Sequence, residues 1–287
     1  GLALATYQYD QNGPELSAQG PTHYHIGLPV LAGLTFNHRS HLFEVGFSWN
    51  YLNSLDYFIS PLEQVAVSTH PFRLAVGYKY MIETTLSAEE DWENGRTQAI
   101  TEKLAGEGRL NNFFVGVGIS SAWWLKQANY NRRQRPFFPN PGVETMADFT
   151  AGYYWNNPDL NVAVNYRSYE SINQAFDIQQ TARRRSLGLE VTKFLFDYHG
   201  FVPFIGPAVS WEQLSFQETI PGEPVFSQTS QQLGYGLTFG WDIRPNRLQS
   251  FILRTNLRYW PHLPLQLSEE DEYNFQNIEF NFIQLIV

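Results

Sequence analysis

Apolar and polar residues alternate one by one through the C-terminal half of the chain. In the segment 250–259, one parity is apolar and the other is polar or charged. The apolar positions are Phe251, Leu253, Leu257 and Tyr259, and the polar positions are Ser250, Arg254, Asn256 and Arg258. Segment 233–242 repeats the pattern. Because successive side chains of a β-strand point to opposite faces, both segments are predicted to be strands with one apolar and one polar face.

The apolar faces are unusually rich in large aromatic side chains. A soluble β-sandwich would direct many charged residues outward and share one core, so it fits this pattern less well. A lipid-exposed apolar face backed by a polar one is typical of a transmembrane β-barrel. The chain has no run of about eighteen apolar residues, so it predicts no membrane helix. The 16% aromatic content fits girdles of Trp and Tyr at two water–lipid interfaces.

The predicted fold is all-β, a single antiparallel transmembrane barrel of about twelve strands spanning residues 1–287. The approximate strand spans are 1–10, 22–36, 41–53, 72–85, 110–125, 144–156, 159–170, 183–197, 200–216, 231–244, 249–261 and 273–287. Short turns alternate with long polar loops at 11–21, 54–71, 126–143, 171–182, 217–230 and 262–272. In bacterial outer-membrane barrels the short turns face the periplasm and the long loops face outward, and an even strand number places both termini on the periplasmic side.

The connection 86–109 is too long for a periplasmic turn, and its composition is partly helical around 97–105 before Gly106. Three interpretations remain open. It is a mobile loop with one or two helical turns, a docking element for a periplasmic partner, or a sign that the strands are miscounted.

Strand parity divides the charged and aromatic residues between the two faces. The predicted lumen charge network comprises Glu44, Arg73, Lys79, Glu83, Asp148, Arg167, Glu190, Glu212, Asp242, Arg254 and Arg258. The predicted lipid-facing aromatic belt comprises Trp49, Tyr51, Tyr153, Trp155, Trp211 and Trp241. We expect Arg254 and Arg258 to face Asp242 and Glu279. A barrel of about twelve strands can be knitted shut by such pairs or can hold a narrow aqueous pore.

Basic residues concentrate in two places at the predicted outer end. Segment 131–138 is basic and then aromatic, and residues 183–185 are three consecutive arginines. Together they predict a basic outer rim of Arg132, Arg133, Arg135 and Arg184. Its loop can lie against lipopolysaccharide phosphates, fold into the barrel mouth, or contact a specific ligand or protein.

Composition and chemistry exclude several functional classes. A net charge of −9 disfavours nucleic acid as a partner. The chain has no cysteine, which excludes disulfides and thiol catalysis. His23 and His25 share a strand face without a third ligand, and no Ser motif stands beside a His and a carboxylate. We therefore predict no enzyme activity, no metal site and no cofactor.

Two segments resemble known proteins. The end of the chain, 278–287, resembles the C-terminal strand by which the barrel-assembly machinery recognises outer-membrane proteins, although Val287 falls on the inner parity. Segment 204–210 resembles strands of the outer-membrane β-barrel proteins common in Bacteroidota. The resemblance implies a location in the bacterial outer membrane and names no substrate. Because the chain opens at Gly1 with strand-like sequence, we expect an export signal to have been removed before it.

Two functions from different classes remain open. The first is a structural or accessory subunit of an outer-membrane complex, favoured by segment 86–109 and by the mixed charges of the interior. The second is a passive porin or narrow channel for small solutes, which a continuous polar lumen would permit. The expected partners are outer-membrane lipid and lipopolysaccharide, together with other outer-membrane or periplasmic proteins.

Overall fold

The computed structural model describes residues 5–9, 20–27, 29–50, 54–68, 70–81, 95–198, 200–244 and 252–286. The N-terminal strands are β1 (Ala5–Tyr9), β2 (His23–Gly27), β3 (Val30–His38), β4 (His41–Trp49), β5 (Ser54–Ser60), β6 (Glu63–Ser68) and β7 (Phe72–Tyr80). Helix α1 (Gly95–Gly106) follows, and helix α2 (Asn129–Gln134) lies between the next two strands. The remaining strands are β8 (Asn112–Trp124), β9 (Glu144–Trp155), β10 (Leu160–Ala175), β11 (Ile178–Phe194), β12 (Phe201–Thr219), β13 (Phe226–Ile243), β14 (Ile252–Trp260), β15 (Pro264–Gln266), β16 (Glu272–Asn274) and β17 (Asn277–Ile286).

Eight antiparallel strands form a closed barrel in the order β10-β11-β12-β13-β14-β17-β8-β9. They correspond to the last eight of the predicted strands, so the expected count of about twelve is wrong for the closed barrel. The physical reason is the pairing of β17 with β8, which joins the two ends of the sheet from Asn277↔Trp124 to Ile286↔Gly116. Once both edges are paired, no free edge remains for an earlier strand to join.

The outer face of the barrel carries an apolar band of membrane dimensions. On β12 the outward residues are apolar from Phe201 to Trp211, which corresponds to about 25 Å along the barrel axis after allowing for strand tilt. The apolar band ends at the same level on three neighbouring strands, because its last residues Leu187, Trp211 and Leu233 are register partners across β11, β12 and β13. The next outward residues along these strands are Arg185, Gln213 and Gln231.

Beyond this band the strands continue. Strands β10 and β11 pair up to Ala175↔Ile178, and β12 and β13 pair up to Glu218↔Phe226. Most of the predicted loops 171–182 and 217–230 is therefore strand. The sequence pattern does not predict these extensions, because outside the bilayer the outer face turns polar at residues such as Gln213 and Ser215 while the inner face carries apolar residues such as Leu214 and Phe216, so the apolar-outward alternation ends.

The first third of the described chain lies outside the closed barrel. Strands β3, β4 and β7 form a separate three-stranded sheet, and β1-β2 and β5-β6 are two-stranded. The described parts of the predicted barrel strands 1–10, 22–36, 41–53 and 72–85 thus contribute to other sheets. That residues 1–287 form a single domain stays a prediction. Helix α1 lies within segment 86–109 and ends at Gly106. Among the described residues, no helix is both long enough and apolar enough to cross a membrane.

Candidate functional site

The interior of the barrel is filled by layers of paired charges, beginning near the end that carries the short turns. There Asp242 of β13 and Arg254 of β14 are register partners. Arg254 donates from Nε to Asp242 Oδ1 at 2.7 Å and from Nη2 to Oδ2 at 2.9 Å. This bidentate pair is the strongest geometry available to an arginine and a carboxylate.

The central layer is organised around Arg258 of β14. Its guanidinium binds Asp148 of β9 at 2.5 Å and also contacts Glu190 of β11. Each carboxylate also accepts a hydrogen bond from a neutral donor. Ser120 donates to Asp148 at 2.8 Å, and Asn165 donates to Glu190 at 2.6 Å. Arg258 therefore spans the lumen and connects strands from different sides of the wall.

The upper central layer is organised around Arg184 of β11. Its Nε and Nη2 donate to Glu212 of β12 at 2.8 and 2.7 Å, and Nη1 donates to Glu279 of β17 at 2.6 Å. Arg167 of β10 makes an ion pair with the other oxygen of Glu279. The Trp260 ring covers both cations, with ring centroids 5.2 Å from Arg167 Cζ and 5.0 Å from Arg184 Cζ.

Close approach of the Trp260 ring to the wall depends on Gly236 of β13. A Cβ at that position would lie 2.8 Å from Cε3 of Trp260 and 2.6 Å from the carbonyl oxygen of Tyr259. Glycine at this inward position thins the wall and leaves room for the ring.

An apolar roof closes the lumen at the long-loop end. The β15-β16 hairpin contributes buried side chains that pack against the inner wall above Trp260. The cluster includes Trp124, Leu214, Phe216, Leu263, Leu265, Tyr273 and Phe275. Arg133 of α2 ties this hairpin to the neighbouring loop, with its Nη2 at 2.9 Å from Glu270 Oε2.

The loop 125–143 is anchored to the wall by the buried carboxylate of Glu218. Tyr130 donates to Glu218 Oε1 at 2.7 Å, Arg135 donates to the same atom at 3.2 Å, and Gln180 donates to Oε2 at 2.8 Å. Burial, and then the hydrogen bond to Glu218, raise the pKa of the Tyr130 hydroxyl, so the phenol stays a neutral donor at physiological pH.

The central layers of the lumen are filled by paired charged side chains and leave no continuous passage along the barrel axis. Among the described residues, five buried arginines and five buried carboxylates lie inside the lumen, and a sixth buried carboxylate, Glu218, pairs with Arg135 of the loop above them. The ten lumen residues are Arg167, Arg184, Arg244, Arg254 and Arg258, with Asp148, Glu190, Glu212, Asp242 and Glu279. An eight-stranded barrel encloses space for side chains or for one small ligand, and the packed central layers here leave no open aqueous channel along the axis.

The predicted lumen residues divide by their position in the chain. The seven from the C-terminal region lie inside the barrel and are buried: Asp148, Arg167, Glu190, Glu212, Asp242, Arg254 and Arg258. Glu44, Arg73 and Lys79 lie instead on the sheet of β3, β4 and β7, where Lys79 Nζ is 2.8 Å from Glu44 Oε1. Glu83 is outside the described residues.

The predicted pairing inside the lumen also needs correction. Arg254 does face Asp242. Arg258 and Glu279 are register partners on β14 and β17, yet their side chains bind other groups across the lumen.

The predicted aromatic belt and basic rim are placed as follows. Tyr153, Trp155 and Trp241 face outward near the short-turn end, and Trp211 faces outward at the opposite boundary of the apolar band. Trp49 is exposed on the separate sheet, and Tyr51 is outside the described residues.

Arg132, Arg133 and Arg135 lie in or beside α2 at the loop end. The prediction that Arg184 lies on the outer rim is wrong. Arg184 shares the parity of Ser186, Gly188 and Glu190 and points into the lumen.

Three site residues were missed from sequence. Arg244 lies just beyond β13 on the parity of Asp242, so the same parity argument could have found it. Glu218 falls in the predicted loop 217–230, whereas β12 continues to Thr219. Trp260 has inward parity, but an aromatic side chain there gave no signal of a role in a charged lumen.

The closed strand pairing, the paired polar interior and the outer apolar band together define a transmembrane β-barrel of the bacterial outer-membrane type. A bilayer location follows from the band, because only lipid satisfies an exposed apolar surface of this height on every side. The outer membrane is where bacterial barrels of this kind reside.

Comparisons with known proteins add distant likenesses. Neither a scan against protein-family models nor a search of curated proteins gives a match. Among solved structures, neisserial surface protein A matches with 16% identity and a TM-score of 0.45, over 62% of this chain and 97% of that one.

Ail, the attachment invasion locus protein of Yersinia pestis, matches with 9% identity and a TM-score of 0.38, over 61% of this chain and 95% of that one. A second structure of Ail, in complex with the heparin analogue sucrose octasulfate, matches with 11% identity and a TM-score of 0.38, again over 61% and 95% of the two chains. The assignment of the fold therefore rests on the strand pairing itself.

Proposed function

We propose that this protein is a non-conducting outer-membrane barrel that serves as a structural or accessory subunit of an outer-membrane protein complex. One observation carries the proposal. The sheet of β3, β4 and β7 has the two faces of a barrel wall, yet the barrel is already closed without it. A sheet with the faces of a barrel wall that lies outside the closed barrel requires other strands to pair with its edges.

The apolar face of this sheet is continuous across all three strands. Its rungs are Val30–Trp49–Phe72, Ala32–Phe47–Leu74, Leu34–Val45–Val76 and Phe36–Phe43–Tyr78. The face is strongly exposed, with Leu74 at 75% and Val76 at 76% of their full accessibility. Trp and Phe stand at one end of the face and Tyr at the other, as in the outer surface of the barrel. The face is therefore suited to lipid.

The opposite face is small and polar, with Gly33, Gly46 and Ala75 on one rung and Thr35, Glu44 and Gly77 on the next. Within the described part of the chain, β4 pairs with both β3 and β7, and no other described strand pairs with the outer edge of β3 or of β7. An unpaired backbone group in lipid costs several kcal/mol, so open edges are not tolerated in a bilayer. We infer that strands of another outer-membrane protein pair with these edges.

The lumen argues against the porin alternative. A channel needs hydrated charges, whereas Arg167, Arg184 and Arg258 are almost completely buried and bound to carboxylates. The role proposed here requires no catalytic centre. Its partners are outer-membrane lipid and lipopolysaccharide around the wall, and a second protein at the sheet edges.

Site-specific cross-linking tests the proposal, and the absence of cysteine makes single-cysteine variants unambiguous. Thr35→Cys on β3 and Ala75→Cys on β7 are labelled with a photoreactive benzophenone in isolated outer membranes and illuminated. We expect a discrete adduct with a different protein from both positions. Val209→Cys, on the lipid face of the fully paired strand β12, is the matched control and should give no protein adduct.

Other outcomes contradict the proposal. An adduct of two copies of this chain would indicate a homo-oligomer instead of an accessory subunit. Efficient labelling with no protein adduct would mean that the edges are not covered by a partner. In planar bilayers we expect the purified protein to show no stable conductance. A large, stable conductance would support the porin alternative instead, and it would require the central ion pairs to be open.

A further inference from the structure

A cavity inside the short-turn end of the barrel lies below the central charge layers. It has a volume of about 70 Å³. Its lining includes Asn161, Phe194, Asp242, Arg244 and Arg254. A single buried water needs about 10–15 Å³ by this measure, so the cavity accommodates a group of several heavy atoms.

The cavity carries more positive than negative charge. Asp242 is already engaged by both nitrogens of Arg254, at 2.7 and 2.9 Å. Arg244 approaches the same carboxylate only to 3.7 Å. Asp159 accepts a hydrogen bond from Tyr154 at 2.9 Å and forms no ion pair with Arg244 among the described residues. Two buried guanidinium groups therefore share one carboxylate.

Arg244 is held in this position by two aromatic rings and by its own backbone, and one of its side-chain donors has no partner in the part of the chain that the structure describes. It is 5% exposed, and its Nε has no hydrogen-bond partner among the described residues. Its guanidinium lies over the Phe194 and Tyr154 rings, with Cζ 4.5 and 5.4 Å from their centroids. Its backbone N–H donates to Gly200 O at 2.8 Å. Leaving the Nε–H of a buried cation without an acceptor is costly unless a further acceptor reaches it.

Asn161 supplies a second buried polar group on the opposite strand wall. Its side chain is 2% exposed, and the amide oxygen has no hydrogen-bond partner in the described part of the chain. An amide can offer either a donor or an acceptor, depending on its orientation. A group that both accepts from Arg244 and donates to Asn161 would satisfy both residues.

From this geometry we propose that the cavity is an anion-binding site for a phosphate group, with Arg244 as its principal ligand. The planar fork of arginine matches tetrahedral and carboxylate oxyanions, and the charge imbalance selects an anion. A singly protonated phosphate has acceptor oxygens for Arg244 and a hydroxyl for Asn161, whereas an ionised carboxylate has acceptors only. The apolar Phe114 and Ile286 side chains also line the cavity and could contact an attached acyl or carbon group.

Calorimetric titration of the folded protein in detergent with inorganic phosphate tests the site. We expect saturable binding that Arg244→Gln weakens at least about tenfold, as expected for losing a charge-assisted hydrogen bond. Arg185→Gln, on the outer face of β11, removes the same charge outside the cavity and should leave binding unchanged. No saturable binding, or equal loss in both variants, would overturn the proposal. Acetate binding as tightly as phosphate would overturn the choice of ligand.

A second measurement covers the possibility that Arg244→Gln fails to fold. The unmodified protein is treated with phenylglyoxal, which reacts with arginine, and the modified positions are identified by mass spectrometry. Phosphate should slow modification of Arg244 and not of Arg185; no selective protection would contradict the site. Titration with dihexanoyl phosphatidic acid distinguishes the two possible sources of the phosphate group, which are a lipid headgroup and a free phosphate anion. Binding tighter than that of free phosphate identifies a lipid headgroup, and weaker binding identifies a free anion.

Discussion

Replacing Arg258 with methionine should reveal whether the lumen is a dry, paired network. The change keeps a long side chain but removes the cation that binds Asp148 at 2.5 Å and also contacts Glu190. Both carboxylates are buried, at 0% and 6% exposure, so they cannot recover their hydration. Breaking a buried ion pair by removing one partner costs roughly 3–5 kcal/mol.

The remaining hydrogen bonds set where in this range the effect should fall. Asp148 keeps donors from Ser120 at 2.8 Å and Asn281 at 3.0 Å, and Glu190 keeps Asn165 at 2.6 Å. These neutral donors compensate only partly, so we expect a loss of about 3–4 kcal/mol in the free energy of unfolding. That loss lowers the folding equilibrium constant by between about two and three powers of ten.

Equilibrium unfolding in urea, followed by tryptophan fluorescence in lipid vesicles, measures this free energy. The heat-modified gel shift should move to lower temperature in parallel. Arg185→Met, on the outer face of β11, is the matched control and should change stability by less than about 0.5 kcal/mol. If Arg258→Met behaves like this control, the lumen is hydrated and the paired network is not what holds the barrel together.

The remaining predictions concern the wall and its orientation. Leu237→Arg on the lipid face should destabilise the barrel by roughly 2–4 kcal/mol near the midplane, measured by the same unfolding assay, whereas Leu237→Ala should cost much less. Gly236→Leu should displace the Trp260 ring and cost about 1–3 kcal/mol through overpacking, visible as a shift in tryptophan emission; an unchanged spectrum would contradict the close contact. Arg132→Cys should react with an impermeant maleimide on intact cells, and Asn157→Cys should not. The reverse result would invert the topology.

The sequence pattern predicted the C-terminal strands well because lipid imposes the same constraint on every wall strand. Outward positions such as Val209 and Leu237 are apolar, and inward positions such as Glu212 and Asp242 are polar, so parity alone assigns the faces. The same rule located most of the lumen charges without any knowledge of which strands are neighbours.

Parity failed where the environment is the same on both faces, or where a local cue competed with it. The extensions of β10 to β13 beyond the band do not keep apolar residues outward and polar residues inward, so their sequence predicts loops. Arg184 was grouped with Arg183 and Arg185 because three adjacent arginines suggest one surface. In a strand the middle residue necessarily faces the other way, and here it binds Glu212 and Glu279 in the lumen.

Which groups form ion pairs inside the lumen depends on how the sheet closes into a barrel. Arg258 is beside Glu279 on the ladder but reaches Asp148 and Glu190, because an arginine side chain spans a lumen as narrow as that of an eight-stranded barrel. The distance across the lumen is set by the number of strands, and no local pattern contains that number.

The sequence by itself determined the strand-forming segments, the lipid-facing and lumen-facing sides, and the presence of charges of both signs inside. These properties are local, since each depends on whether one side chain meets lipid, protein or water. Only the tertiary structure decided that β17 pairs with β8, that β3, β4 and β7 remain outside, and that the lumen is closed. Those outcomes depend on which distant edges meet, and a strand edge offers the same backbone hydrogen bonds to any partner.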